Sequence, residues 1–315
     1  MTITPFTHLT CPLDGQPLLK QQNSWRCANG HSFDNARQGY VHLLPVQNKR
    51  SLAPGDSKEM VAARQRFLSA GHYQPVAAAV AQWVAKAFNT VGAGEIKGEG
   101  AERQPGIKEL FACLDAGCGE GYYLRELEAC LAGQKHEQPL SLVGLDISKP
   151  AVLAAAKQSK TTRWVVASNA NIPLAEGSLD CILSVFGFPV YSEFRRVLRT
   201  GGRVIVVDAG PDHLRELRKV IYPVLKPEVD KPNASEAPPG FQAIGRQTIS
   251  FSLALVGEAA IADLLAMTPH FYRAKAEGLA RAAALGELQV TVDVRLTVLE
   301  TTPGEGASPP GADLK

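Results

Sequence analysis

The chain lacks any apolar run long enough to span a membrane, and its N-terminus lacks a basic stretch followed by an apolar one. A soluble, cytoplasmic protein with no membrane partner is the expectation. Cysteine is sparse, with six scattered through 315 residues, which excludes a disulfide framework. Charge of either sign is not in large excess. The net value is +2, so total charge selects no partner. Its distribution says more, because residues 1–70 hold eight Lys/Arg against four Asp/Glu. That asymmetry permits an RNA-facing N-terminal module and equally permits a merely soluble surface. Internal repeats are absent. So are the dinucleotide pattern G-x-G-x-x-G and the phosphate loop G-x-x-x-x-G-K-[ST].

What is present centres on Leu114-Asp115-Ala116-Gly117-Cys118-Gly119-Glu120-Gly121. Phe111 to Leu114 is short and apolar, as in a buried parallel strand. Tyr122 to Leu131 has apolar residues at helical spacing. The glycines between them allow a sharp turn and let a ligand lie against bare main chain. Leu142 to Asp146 is a second apolar strand ending in an acid, followed by a helix from Pro150 to Gln158. An acid there is placed to accept hydrogen bonds from ribose hydroxyls. D-x-G-x-G-x-G followed by G-x-D-x-S resembles the S-adenosylmethionine-dependent methyltransferases. That resemblance implies a doubly wound, Rossmann-like, seven-stranded α/β sheet that binds adenosylmethionine through Asp115, Gly117, Gly119, Glu120, Gly121 and Asp146.

Residues 1–45 carry Cys11-x-x-Asp14 and Cys27-x-x-x-His31 in a segment with little apolar material. Zinc held by two knuckles would staple such a segment. The spacing alone also fits two buried thiols beside an unrelated Asp and His. Residues 46–108 read as a helical linker with an insertion. A loop through Lys49-Arg50 leads to Asp56 or Ser57 as the cap of a helix running to about Ala70, and a second helix runs from Val76 to Phe88. Residues 89–108 are a Gly-rich insertion, and 109–301 form the doubly wound domain. Within it, strands are expected at 163–168, 178–184, 203–208, 248–256 and 290–299. Helices are expected at Glu193–Leu198, ended by Thr200-Gly201-Gly202, from Gly210 through Ile221, and at Glu258–Met267. Residues 226–240 read as a Pro-rich loop and 302–315 as a disordered tail.

Residues 11–275 also resemble the bacterial 23S rRNA guanine-N1-methyltransferases. The matching stretches include Phe33-Asp34, Gly39-Tyr40-Val41, Leu43-Leu44-Pro45-Val46-Gln47, Lys49-Arg50-Ser51, Pro54-Gly55-Asp56-Ser57, Gly71-His72-Tyr73-Gln74-Pro75, Gly119-Glu120-Gly121-Tyr122-Tyr123, Gly210-Pro211 with His213, and Met267-Thr268-Pro269. The resemblance implies a zinc-ribbon-like N-terminal module that grips a 23S rRNA hairpin. Its zinc ligands would be Cys11, Asp14, Cys27 and His31, with Asp14 standing where the family pattern has a cysteine. It implies further that Tyr73 and His213 touch the cofactor. Ser168 and Asn169 stand where many methyltransferases place an acid near the adenine amine.

Guanine N1 carries a proton that must leave as the methyl arrives. Asp208, His213 and Asp56 are candidates by position. Each has another reading: Asp208 as a helix cap, His213 as a cofactor ligand only, Asp56 as the helix cap noted above. Three functions stay open on the residues alone: an rRNA methyltransferase, a small-molecule methyltransferase on the same fold, and a non-catalytic zinc-dependent RNA-binding protein. A homodimer is compatible with all three.

Overall fold

The computed structural model describes residues 2–48, 51, 53–92, 110–132, 138–224 and 236–303. Lys49 and Arg50, the insertion from residue 93 on, most of the Pro-rich loop and nearly all of the tail expected at 302–315 lie outside the described residues.

The N-terminal segment forms a small antiparallel sheet of β1 (Leu19–Gln21), β2 (Ser24–Arg26) and β3 (Ser32–Asp34), followed by β4 (Tyr40–His42). Helices α1 (Lys58–Ser69) and α2 (Gln74–Gly92) come next. Ser57 rather than Asp56 caps α1, its hydroxyl accepting from Met60 N–H at 3.3 Å. The doubly wound part runs β5 (Phe111–Ala116), α3 (Tyr122–Ala132), β6 (Leu140–Asp146), α4 (Lys149–Gln158), β7 (Arg163–Val166), β8 (Leu179–Val185), α5 (Tyr191–Val197), β9 (Leu198–Ala209) and α6 (Arg215–Ile221). It closes with β10 (Phe241–Val256), α7 (Glu258–Ala266), α8 (His270–Arg273), α9 (Ala276–Ala283) and β11 (Glu287–Thr301).

The main sheet has the order β10-β11-β9-β8-β5-β6-β7-β4. Strands β5 to β9 run parallel, and β11 returns antiparallel between β9 and β10. It therefore holds eight strands where seven were expected. The eighth, β4, comes from the N-terminal segment and pairs parallel with β7, Tyr40 opposite Trp164. Period-2 alternation divides the strand side chains between two cores. One face packs under helices α2, α3, α4 and α6 through Phe111, Cys113, Leu142, Trp164 and Leu183. The other packs Ala112, Leu114, Val143 and Val165 against Phe6, Leu9, Trp25 and Phe194. The chain crosses from β7 to β8 without a helix, and the N-terminal segment covers the face left bare.

Thr200-Gly201-Gly202 does not end a helix. Helix α5 stops at Val197, and these residues sit in a break of the β8–β9 register between Leu179↔Leu198 and Cys181↔Arg203. The glycine pair thus marks a bulge rather than a helix terminus. The helix expected from Gly210 begins only at Arg215, because Leu214 before it is left-handed. Helices α8 and α9 were not expected from the sequence, being only four and eight residues long.

Trp164 is the largest side chain under the glycine turn. A Cβ at Gly144 would lie 2.2 Å from its ring and one at Gly121 2.5 Å from it. Gly144→Ala, whose backbone is unstrained, should lower stability by about 1–3 kcal/mol through overpacking. A urea midpoint equal to wild type would show that the ring does not fill this space.

Candidate active site and metal centre

The turn after β5 uses positive φ at Gly117, Gly119 and Gly121. Asp146, at the end of β6, fastens it. One carboxylate oxygen accepts from Gly119 N–H at 2.8 Å and the other from Ser148 N–H at 2.7 Å. Burial raises the Asp146 pKa against the pull of these donors. Asp115 lies behind it, 1% exposed, with neither carboxylate oxygen partnered. Burial, and then the Asp146 charge, push it up to about 8. Two orphaned buried carboxyl oxygens beside a bare glycine turn are an unmet demand for hydrogen-bond partners.

Glu120 is placed differently from its neighbours. Its carboxylate is held by Arg125 Nη2 and Gln158 Nε2, both at 2.7 Å, so it ties α3 to α4. Ser168 accepts from Ala170 N–H at 3.2 Å. Asn169 donates to the carbonyls of Ala116 (3.4 Å) and Phe188 (3.3 Å), while its buried Oδ1 has no partner.

The roof of this cleft comes from the linker and from the loops after β8 and β9. Tyr73 is buried, with its hydroxyl 3.3 Å from His213 Nε2. His213 Nδ1 accepts from Asp293 N–H at 3.3 Å, which places its proton on Nε2. Burial pulls His213 down to about 4, so it is neutral at pH 7. The Tyr73 oxygen therefore accepts from His213 and keeps its own hydrogen to donate. Phe186 stacks on His213 at 5.5 Å and 29° from a left-handed backbone, φ 51°. Such a conformation is costly for an aromatic residue and is concentrated at functional sites. Phe186 is 39% exposed and Phe188 is 87% exposed, so the two form an aromatic ledge at the carboxyl end of β8.

Of the base candidates, Asp56 is ion-paired with Arg64, and its carbonyl accepts from Ser148 Oγ at 2.7 Å. Asp208 is exposed at the end of β9, one residue after Val207, whose carbonyl holds Phe186 N–H at 2.8 Å. The structure thus brings Tyr73, Asp115, Gly119, Asp146 and His213 into one region and ties one Glu120 carboxylate oxygen to Arg125 and Gln158, the other being buried without a partner. Arg64 carried no sequence signal, being one charge among several on a helix. Phe186-Gly187-Phe188-Pro189 stands in sequence just past the β8 strand, but the strain at Phe186 exists only in three dimensions.

The donors of Cys11, Asp14, Cys27 and His31 lie within 4.8 Å of one another. His31 Nδ1 is 3.5 Å from Cys11 Sγ, 3.4 Å from Cys27 Sγ and 3.0 Å from Asp14 Oδ2. Cys27 Sγ is 3.5 Å from Asp14 Oδ2. Zinc bonds of about 2.3 Å to sulfur and about 2.0 Å to nitrogen or oxygen give tetrahedral edges of about 3.3 Å between nitrogen and oxygen, about 3.5 Å from either to sulfur and about 3.8 Å between sulfurs. The four donors therefore fit one tetrahedral ion, which would staple the loop between β2 and β3 to the Cys11 turn.

Two family models match the chain: the N-terminal zinc ribbon of RlmA at residues 9–52 and a methyltransferase domain at residues 114–206. Relatives similar along nearly the whole chain are the 23S rRNA (guanine(748)-N(1))-methyltransferase of Streptomyces fradiae, 34% identical over 94% of this chain and 98% of its own, and a Micromonospora griseorubida protein named as a 23S rRNA (guanine-N(1)-)-methyltransferase, 36% identical over 92% and 96%. The chain belongs to the 23S rRNA (guanine-N1)-methyltransferase family. A demethylmenaquinone methyltransferase of Thermotoga maritima matches at 31% identity, but over only 35% of this chain and 48% of its own. The protein is an adenosylmethionine-dependent methyltransferase with a zinc ribbon.

Protein purified without chelator should contain about one zinc per chain. Asp14→Cys should retain zinc against a competing chelator better than wild type, since thiolate is the softer donor. A metal-free protein with a folded N-terminal segment would contradict the assignment.

Proposed function

We propose that the protein methylates N1 of a guanine in a hairpin of 23S rRNA. The observation that carries this reading is coverage: relatives named for that activity align through both the zinc ribbon and the methyltransferase part, whereas the menaquinone enzyme aligns over about a third of the chain. Adenosylmethionine supplies an electrophilic methyl group on a sulfonium. Asp146 would accept the ribose hydroxyls, and the unpartnered Asp115 carboxylate would take hydrogen bonds from the cationic amino end. Ser168 and Asn169, at the end of β7, would border the adenine. The Tyr73 hydroxyl, its oxygen already held by His213, would donate into the cleft.

The target base must leave its stack to reach a buried methyl donor. Phe186 and Phe188 offer an exposed aromatic surface for it, and base-on-aromatic stacking contributes about 1–3 kcal/mol. Asp208, exposed at the end of β9 one residue beyond the Val207 that holds Phe186, is a candidate to receive the N1 proton. Catalysis here is chiefly alignment of donor and acceptor, with the proton removed as the new bond forms.

Incubation of the protein with adenosylmethionine and 23S rRNA fragments, followed by mass mapping, should find 1-methylguanine in one hairpin. Methylation confined to a small molecule, or to another guanine atom, would refute the reading. Asp146→Ala should abolish the product by removing a charged acceptor of two hydroxyls, each bond worth about 1.5–3 kcal/mol.

Asp115 should cost stability in exchange for its role. Its folded pKa of about 8 lies above the ordinary carboxylate value. Between about pH 4 and 8 the folded state therefore binds more protons than the unfolded state, and the contribution of Asp115 to stability falls as pH rises. Asp115→Asn should gain on wild type in urea midpoint from pH 5 to pH 8 while binding adenosylmethionine more weakly. A gap in midpoint independent of pH would show that Asp115 does not titrate abnormally.

A further inference from the structure

A guanidinium stands directly over the glycine turn. Arg64, on α1, lays its side chain across Gly119: a Cβ built there would be 3.6 Å from Arg64 Nη1 and 3.7 Å from its Cδ. Nη1 is ion-paired to Asp56, and Nη2 donates to the Met267 carbonyl at 3.2 Å. Those two partners fix the plane of the group and use two of its five N–H donors. A purely structural strut between α1 and α7 would be redundant, because Arg66 already provides one. Its Nε and Nη2 reach the two oxygens of Asp263 at 2.9 and 2.5 Å.

The charges around Arg64 are of the opposite sign. Asp56 and Asp146 face it, Arg64 lowers the Asp146 pKa, and Asp115 lies behind. Such a cleft suits a ligand that is cationic in one part and anionic in an adjacent part. An α-amino acid end, with ammonium and carboxylate on one carbon, has that pattern. A guanidinium presents a fork of N–H groups matched to a carboxylate.

We propose that Arg64 is the receptor for the α-carboxylate of the cofactor, and that Asp56 and the Met267 carbonyl position it. The proposal rests on the cofactor reading given above. It also gives Asp56 a task other than removing the guanine proton: it holds the guanidinium over Gly119.

The test is calorimetric titration with two nucleosides, S-adenosylhomocysteine and 5′-methylthioadenosine. The second keeps the adenosine and the sulfur but has no amino-acid end. Arg64→Met should weaken S-adenosylhomocysteine about ten- to hundredfold, the loss expected for a charge-assisted pair, and leave methylthioadenosine within about twofold. Arg64→Lys, which keeps the charge and loses the fork, should fall between, and it carries the test if the methionine variant does not fold. Equal losses for both nucleosides, or none for either, would overturn the proposal and leave Arg64 as scaffold. A wild-type protein that binds neither nucleoside would overturn the cofactor reading itself, and this proposal with it.

Discussion

The two hydrogen bonds accepted by Asp146 hold the site together. One carboxylate bridges the amide of Gly119, in the turn after β5, and the amide of Ser148, which caps α4 after β6. Each βα turn is thereby fixed relative to the other, and the crevice between them becomes a rigid bed at the carboxyl ends of parallel strands. Trp164 supports that bed from β7, filling the space that Gly121 and Gly144 leave open. The glycines serve two ends at once: a backbone that turns sharply above, and room for a large ring below.

The linker is built onto the same bed. A Cβ on Gly55 would meet Ser148 Cβ at 2.8 Å, so the chain lies flat against the cap of α4 there. Ser148 Oγ, which accepts from Ala151 N–H, also donates to the Asp56 carbonyl. From this contact α1 carries Arg64 over Gly119, and the break before α2 delivers Tyr73 to His213. The segment that joins the zinc ribbon to the sheet is therefore also the roof of the cleft over the glycine turn.

The sequence made the bed legible and left the roof largely unread. Glycines at alternate positions, an acid before them and an acid ending the next strand have few uses apart from the one found. Pattern carried less where the outcome depended on tertiary packing. Glu120, next to the turn, faces Arg125 and Gln158 because its side chain falls on the α3–α4 side. The Tyr40–His42 stretch reads in sequence as a strand leaving the N-terminal module, but not where it goes; it joins β7 because the edge of the parallel sheet offers unpaired backbone groups. Gly201-Gly202 carried the composition of a helix end and proved to be a bulge, since a glycine pair reports backbone freedom and not the element that needs it. Arg64 could be found only by knowing what α1 crosses.

Asp14 shows how a ligand set can change chemically while its electrostatics stay fixed. With a divalent ion, two thiolates, one carboxylate and a neutral imidazole leave a net charge of −1, the same as three thiolates and an imidazole. The exchange alters softness and not charge balance. A carboxylate, however, has two oxygens to orient, which a thiolate does not. Here both are engaged: Oδ1 accepts from Gln16 N–H and Oδ2 from Asn29 Nδ2, each at 3.0 Å. These donors hold Asp14 with Oδ2 turned toward His31 and Cys27, as outer partners do for metal-bound carboxylates in general. The Gln16 bond is the ordinary Asx turn of an aspartate in this position, and together with Asn29 it leaves Oδ2 facing the other three donors, the orientation a fourth ligand needs.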